Sequence, residues 1–472
     1  MSVLLPFLAA AGAVLLLLTG GFALLRALIP GRQPFSLFGL VPLCFGVGLA
    51  ALAAAGNLAM LAGLRLPWAY GGLAVLCALA WARARPRGGA PAERLFETGA
   101  AGGPPALDAT ERLLLAAILF GALSALLLAV LYPLHYHDSR AIWGAKAKML
   151  FHAGTLFSPE FMDPHRVHPH FRYPLLLPMA ESFVFTCARK ADDRAVMLLI
   201  GLFFPMLVSF LYDLARILLA DRKAALTAAA LIAVLPAFFL SDGSAFSGYA
   251  DTPLAALYAL ALGTTLLWRR EGGMRWLALS AFLTGALPLV KNEGGLLAAL
   301  TLVLIAFPGR GWRNAAARLP LVGAVVLPWL LLVRRLPLDP TDTTDVFQLA
   351  LLQPGVGLDG GRIAAFCLGA LLGTEADPFG NRLLWGLFWP VFLFSAALCA
   401  RRRDAQGLRL AATVLAYLAL IAAGYAVLRD HSAEFWRSNF FRLCLPIAPV
   451  AALQIAGTLS APEEPGSDAE SA

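Results

Sequence analysis

Charge is what this chain has least of. Lys, Arg, Asp and Glu make up only 14% of its 472 residues, against about 25% in soluble domains. With 60% of the residues hydrophobic, there is too little charge to coat a soluble surface, and too much apolar mass for a disordered chain. Both classes are excluded. Cysteine is scarce as well, at six residues. Cys44, Cys77, Cys187, Cys399 and Cys444 lie inside apolar segments and Cys367 in a short apolar stretch. None forms a CxxC pair or stands near a histidine at zinc spacing, so a disulfide scaffold is excluded and the thiols read as small core hydrophobes. There is no internal repeat. The net charge of +8 would suit a nucleic-acid binder, but arginine-rich loops between apolar runs account for it, and no nucleic-acid partner is expected.

What the chain has is long apolar runs. A helix crosses a bilayer with about 20 apolar residues. Runs that reach or approach this length occupy 3–29, 35–63, 67–82, 111–134, 174–190, 194–219, 224–240, 251–268, 276–290, 294–308, 319–335, 383–400, 409–428 and 443–460. The expected fold is therefore an all-α polytopic membrane bundle of about thirteen spans. The first run is too long for a signal-peptide core and lacks a basic start, so it reads as a retained span. Three leading spans (1–83) precede a Gly-, Pro- and Arg-rich linker at 84–110, the main module runs over 111–460, and an acidic tail follows at 461–472.

Arginines set the orientation, because short cytoplasmic loops collect them. The stretches holding Arg83, Arg85, Arg87 and Arg94, then Arg269, Arg270 and Arg275, then Arg310, Arg313 and Arg318, then Arg401, Arg402 and Arg403 read as cytoplasmic. Segments 135–173, 241–250, 291–293, 336–382 and 429–442 fall on the opposite face. One parity conflict follows. Three apolar runs separate 135–173 from 241–250, yet both are expected outside, so either 174–190 or 224–240 does not fully cross.

Polar residues concentrate on the external side. His135-Tyr136-His137-Asp138-Ser139-Arg140 follows run 111–134, and residues 141–151 carry the pattern of a helix lying in the interface plane, anchored by Trp143. Of the seven histidines, six lie between His135 and His170. His165, His168 and His170 lack helical ligand spacing, and Pro164 and Pro169 argue for an extended loop. Substrate contact by His137, His168 and His170, with Arg140 and Tyr173 beside them, is favoured over a divalent metal site. Asp138 reads either as a helix cap or as a carboxylate facing a polar cavity, where it would take a proton from an acceptor hydroxyl. Asp251 opens an apolar run and has the same two readings. Lys291 and Glu293 interrupt two short apolar runs, where they either pair with each other or serve function. Arg437 and Arg442 sit among Trp436, Phe440 and Phe441, where they either snorkel or grip a lipid phosphate with their forked donors.

An outward span ending in Asp138, a juxtamembrane helix, and Tyr173-Pro174-Leu175-Leu176-Leu177-Pro178 opening the next run resemble the GT-C superfamily of membrane glycosyltransferases. The likeness is greatest to the branch containing the aminoarabinose transferases of lipid A and the protein O-mannosyltransferases (glycosyltransferase family 39). It continues through Tyr249-Ala250-Asp251, Lys291-Asn292-Glu293-Gly294 and Arg442-Leu443-Cys444-Leu445-Pro446, covering about 111–460. The resemblance implies transfer of a sugar from a polyprenyl-phosphate carrier to a glycan, lipid or protein acceptor on the extracytoplasmic face of a bacterial inner membrane. It maps the first-loop catalytic aspartate onto Asp138 and the second acidic position onto Asp251. Protein O-mannosyltransferases have Asp-Glu at the first site, whereas Ser139 follows Asp138 here. No extramembrane domain follows the last run, so transfer to peptide sequons is not expected. No certain cofactor is implied. The rival readings are a secondary transporter, which would place broken helices at mid-membrane in paired halves, and a lipid-carrier ligase or polymerase of envelope glycans.

Overall fold

The computed structural model describes residues 4–29, 34–84, 106–163, 170, 172–306, 316–337, 384–427 and 440–460. Among these residues every regular element is helical. The leading helices α1 (Leu4–Leu28), α2 (Leu37–Leu61) and α3 (Leu66–Ala84) pack on one another, and α2 also packs on the later helices α8 (Asp193–Leu219) and α12 (Met274–Ala286). The leading spans therefore share one core with the rest of the chain. Most of the expected linker, 85–105, lies outside the described residues, as do 338–383 and the tail 461–472.

The helix α4 (Ala109–Leu131) opens on a capping box, in which the Asp108 carboxylate accepts from the Glu111 N–H and Glu111 accepts from the Asp108 N–H. Its first turn is tied to α9 (Arg222–Ala233): Arg222 Nη2 stands 2.6 Å from Glu111 Oε2 and Lys223 Nζ 3.0 Å from Asp108 Oδ2. After α4 come a π-helical turn, Ser139–Gly144, then α5 (Ala145–Ala153), the short α6 (Pro159–Met162) and α7 (Leu176–Ala188). Beyond α9, α10 (Ala237–Leu240) leads into α11 (Asp251–Glu271), followed by α12, α13 (Glu293–Leu300) and the helices Arg318–Val333, Phe388–Arg401, Ala405–Val427 and Ala448–Ser460. The helix α11 is the axis of the bundle. Its 21 residues span about 31 Å, and it is buried from Asp251 through Trp268, as expected of a helix apolar all round.

Among the described residues, seven helices are long and apolar enough to cross a membrane, namely α1, α2, α4, α8, the α9–α10 segment, the one from Ala405, and Phe440–Ser460. This makes the chain a multi-pass integral membrane protein. Five further apolar helices are shorter.

The parity conflict closes at α7. Before its first turn, Lys146 Nζ donates to the carbonyls of His170 and Tyr173. Just past its last turn, Lys148 Nζ stands 2.9 Å from Asp193 Oδ1. Two lysines of one short helix, α5, therefore reach both flanks of α7, so α7 begins and ends on the same side. Its 13 residues measure about 20 Å, short of the roughly 30 Å hydrocarbon core. The run 174–190 does not cross. One pass by α8 and a return by α9–α10 then put 241–250 back beside 135–140.

One expectation about the first loop is overturned. Trp143 is 2% exposed and packs its ring 5.7 Å from that of Tyr173, so it does not anchor a surface helix in lipid. Lys146 is buried as well. The α5 segment is covered by α7 rather than by the membrane interface.

Candidate functional site

Four segments distant in sequence meet at one end of α11. Asp138 lies just before the π-helical turn, Asp251 is the first residue of α11, Lys291 and Glu293 sit at the start of α13, and Arg442 leads into the last helix. Their side chains form a continuous chain of charges. Arg442 Nη1 donates to Asp138 Oδ2 at 3.0 Å, across 304 positions of sequence. The same guanidinium places Nε 3.6 Å from Asp251 Oδ2. The other Asp251 oxygen, Oδ1, accepts from Lys291 Nζ at 2.8 Å, and Lys291 is 3.5 Å from Glu293 Oε1. Three carboxylates and two cations alternate, for a net charge of −1.

Exposure separates the two aspartates. The Asp138 side chain keeps 26% of its surface and Arg442 15%, while Asp251 keeps 1% and Lys291 3%. Asp251 is therefore sealed behind Arg442 and Lys291, and Asp138 is the carboxylate at the open end. Asp138 does not cap the following helix, since its side chain makes no capping hydrogen bond there. That reading is excluded. The π-helical turn that follows it is a rare geometry, frequent at functional sites.

Three residues not singled out as site residues in the sequence complete the arrangement. Tyr249 lies under Arg442, with the guanidinium carbon 5.0 Å from the ring centroid, and its hydroxyl oxygen accepts from the Asp138 N–H at 3.4 Å. Burial, and next the charge of Asp138, push the Tyr249 hydroxyl up to about 12. Gly243 admits Arg442: a Cβ there would stand 2.5 Å from Arg442 Cγ and 3.1 Å from Asp251 Cβ. Lys146 fixes the 170–173 corner through its bonds to the two carbonyls. Only Tyr249 carried a sequence signal, as part of Tyr249-Ala250-Asp251. A lone glycine and a lysine on an amphipathic helix carry none.

The remaining expected site residues are dispersed. His137 and Arg140 are exposed and are not part of the charge chain. His170 adopts a left-handed backbone at φ 54 and stacks on Tyr173 with centroids 4.6 Å apart. Tyr173 in turn receives Lys146 on its carbonyl. His168 and Arg437 lie outside the described residues. Among the described residues, no group of three or more His, Cys, Asp and Glu side chains is disposed to hold a metal ion.

Known proteins resemble parts of this chain. Residues 174–333 match the family model of dolichyl-phosphate-mannose-protein mannosyltransferases, about a third of the chain. This agrees with the GT-C resemblance read from the sequence. The matched stretch contains Asp251, Lys291 and Glu293, and Arg442 joins Asp138 to it from outside. No curated protein sequence matches the chain significantly. Two solved structures of oligosaccharyltransferase from Archaeoglobus fulgidus are similar to it. One, AglB in complex with an inhibitory peptide and a dolichol-phosphate, has 16% identity and a TM-score of 0.46, over 74% of this chain and 50% of that one. The other, an apo form, has 15% identity and a TM-score of 0.47 over the same shares. The chain spans about half the length of these proteins.

Proposed function

We propose that this chain is a membrane glycosyltransferase that moves a sugar from a polyprenyl-phosphate carrier to an acceptor hydroxyl at the Asp138 end of the bundle, the extracytoplasmic end in the arginine-based orientation. The observation that carries the reading is the Asp138–Arg442–Asp251–Lys291 chain, which leaves one carboxylate open beside a guanidinium and seals its counterpart. The family match to mannosyltransferases using a dolichyl-phosphate donor supports the same chemistry.

In this reading Asp138 takes the proton of the acceptor hydroxyl while that oxygen bonds to the anomeric carbon. The bond from the anomeric carbon to the phosphate oxygen breaks, and polyprenyl phosphate leaves with the electron pair. Arg442 does two things. It holds the Asp138 carboxylate in place, and its positive charge faces the departing phosphate, to which Arg forks are suited. Asp251 and Lys291 orient Arg442 from behind, so Asp251 is a positioning residue rather than a second base. Glu293 completes the chain on Lys291. His170 and Tyr173 stand at the corner fixed by Lys146 and line the acceptor side. Arg437 and His168 lie outside the described residues; the proposal keeps Arg437 as a donor-phosphate ligand and His168 as a substrate ligand.

The test is polyprenyl-phosphate release in proteoliposomes supplied with polyprenyl-phosphate hexoses and pentoses, with native membranes as acceptor. General-base catalysis is worth about 10²–10⁴ in rate, so Asp138→Asn should lose most turnover while remaining folded. Near-parental release by Asp138→Asn, or no release by the parent with any donor of the series, overturns the proposal.

A further inference from the structure

The turn that admits Arg442 carries an acid that the charge chain does not use. It runs over Ser241-Asp242-Gly243-Ser244 and is closed by the Ser244 N–H, which donates to the Ser241 carbonyl at 3.0 Å. Three further bonds hold it in place. Ser241 Oγ donates to the Ala237 carbonyl at 2.6 Å, Thr252 Oγ1 to the Gly243 carbonyl at 3.2 Å, and the Ala245 N–H to the Phe238 carbonyl at 2.8 Å. The segment is packed into the bundle. Of residues 241–250, Asp242 alone is exposed.

An exposed acid on a loop is ordinarily a solvated surface group. Three observations set Asp242 apart from that use. Its neighbour Gly243 lies against the middle of the charge chain, since a Cβ there would stand 2.5 Å from Arg442 Cγ and 3.1 Å from Asp251 Cβ. Asp242 is thus fixed one residue from the site by a turn bonded on both flanks. Its carboxylate makes no hydrogen bond or ion pair with another described residue, so it neither caps a turn nor balances a cation. Its charge also acts on the Tyr249 hydroxyl, the group that receives the Asp138 N–H, so Asp138 and Asp242 act on one phenol. The charge chain is already at −1, and another carboxylate beside it repels both that chain and an incoming phosphate. What satisfies such a group is a neutral donor, and an ionised carboxylate accepts through both of its oxygens.

We propose that Asp242 is a specificity-determining residue that recognises the sugar of the carrier-linked donor, accepting hydrogen bonds from its ring hydroxyls. The inference rests on the glycosyltransferase reading. In that reading Arg442 faces the donor phosphate, and the sugar joined to that phosphate is the next part of the donor to meet the turn on which Arg442 rests. Asp138 and Arg442 carry the transfer, and Asp242 selects the sugar that is transferred. Because the turn is already bonded in position, little ordering cost is set against the contact.

The experiment is native mass spectrometry of the full chain in neutral detergent, titrated with undecaprenyl phosphate and with its mannose, glucose, galactose, arabinose and xylose forms. The parent should bind at least one sugar-bearing form more tightly than the bare carrier. Asp242→Ala should weaken that form about tenfold or more, the worth of a hydrogen bond to a charged group, and leave the bare carrier unchanged. Asp242→Asn, which keeps one acceptor oxygen, should fall between. Glu160→Gln, at an exposed acid elsewhere in the same external segment, should change nothing. Parental affinity of Asp242→Ala for every sugar-bearing form overturns the inference, as does an equal loss for the bare carrier, which would mark a role in the fold or in carrier binding. The two proposals fail separately: a parent that releases polyprenyl phosphate while its sugar affinity ignores Asp242 overturns this inference alone, whereas a parent with no release overturns the glycosyltransferase reading and this inference with it.

Discussion

The Lys291–Asp251 pair offers the sharpest test of the charge chain. Lys291→Met keeps the length and apolar stem of the side chain but removes the cation 2.8 Å from Asp251 Oδ1. At 1% exposure Asp251 has no route to water, and its remaining cation, Arg442, sits at 3.6 Å and is shared with Asp138. Removing one partner of a buried pair costs about 3–5 kcal/mol, because the other charge is left without compensation. Arg442 retains part of that, so the lower half of the range is expected. Replacing both members by apolar residues of similar volume is typically near neutral, so Lys291→Met/Asp251→Leu should recover most of the loss. The assay is unfolding by sodium dodecyl sulfate in mixed micelles, for the parent, both single variants and the double. Strong non-additivity is the expected result. A neutral Lys291→Met, or a double variant as destabilised as the sum of the singles, would refute the reasoning.

Three further outcomes follow from the same geometry. In a background without native cysteines, Arg140→Cys should react with an impermeant thiol reagent from outside intact cells and Arg275→Cys only after permeabilisation; the reverse pattern would invert the orientation. Glu181 on α7 is fully buried and its carboxylate oxygens have no hydrogen-bond partner among the described residues, so Glu181→Met should raise the unfolding free energy by about 1–3 kcal/mol, the penalty of an unsatisfied buried group, and a clear loss in the same titration would count against it. Tyr249 is raised to about 12 from an ordinary 10; the unfolded chain therefore releases this proton first, and stability falls as pH rises between about 10 and 12. In Tyr249→Phe that portion of the alkaline loss should be absent in parallel pH scans, and an unchanged slope would remove the tyrosine from the network.

Much of the site was legible in the sequence because lipid punishes charge. Ionisable groups in a membrane chain collect at helix ends or interior polar sites, so Asp138, Asp251, Lys291, Glu293 and Arg442 stood out as the polar punctuation of apolar runs. Arginine-rich loops likewise sorted the segments to two ends, and the structure brings 138, 251, 291 and 442 together as that sorting requires. The histidine-rich loop stood out equally, yet His137 is exposed and His170 stacks on Tyr173, because composition marks a segment without saying where each side chain turns.

The amino-acid sequence by itself determined the class of protein, the helical fold, and the end of the bundle at which the acidic and basic groups gather, since each follows from local hydropathy and the cost of charge in hydrocarbon. Only the tertiary structure decided which groups pair. It joined Arg442 to Asp138 across 304 positions through the space left at Gly243, sealed Asp251 while leaving Asp138 open, and turned α7 back on the side where it began. These are properties of close packing between segments far apart in the chain, and a one-dimensional pattern of apolar and polar residues holds no record of which helix end will meet which.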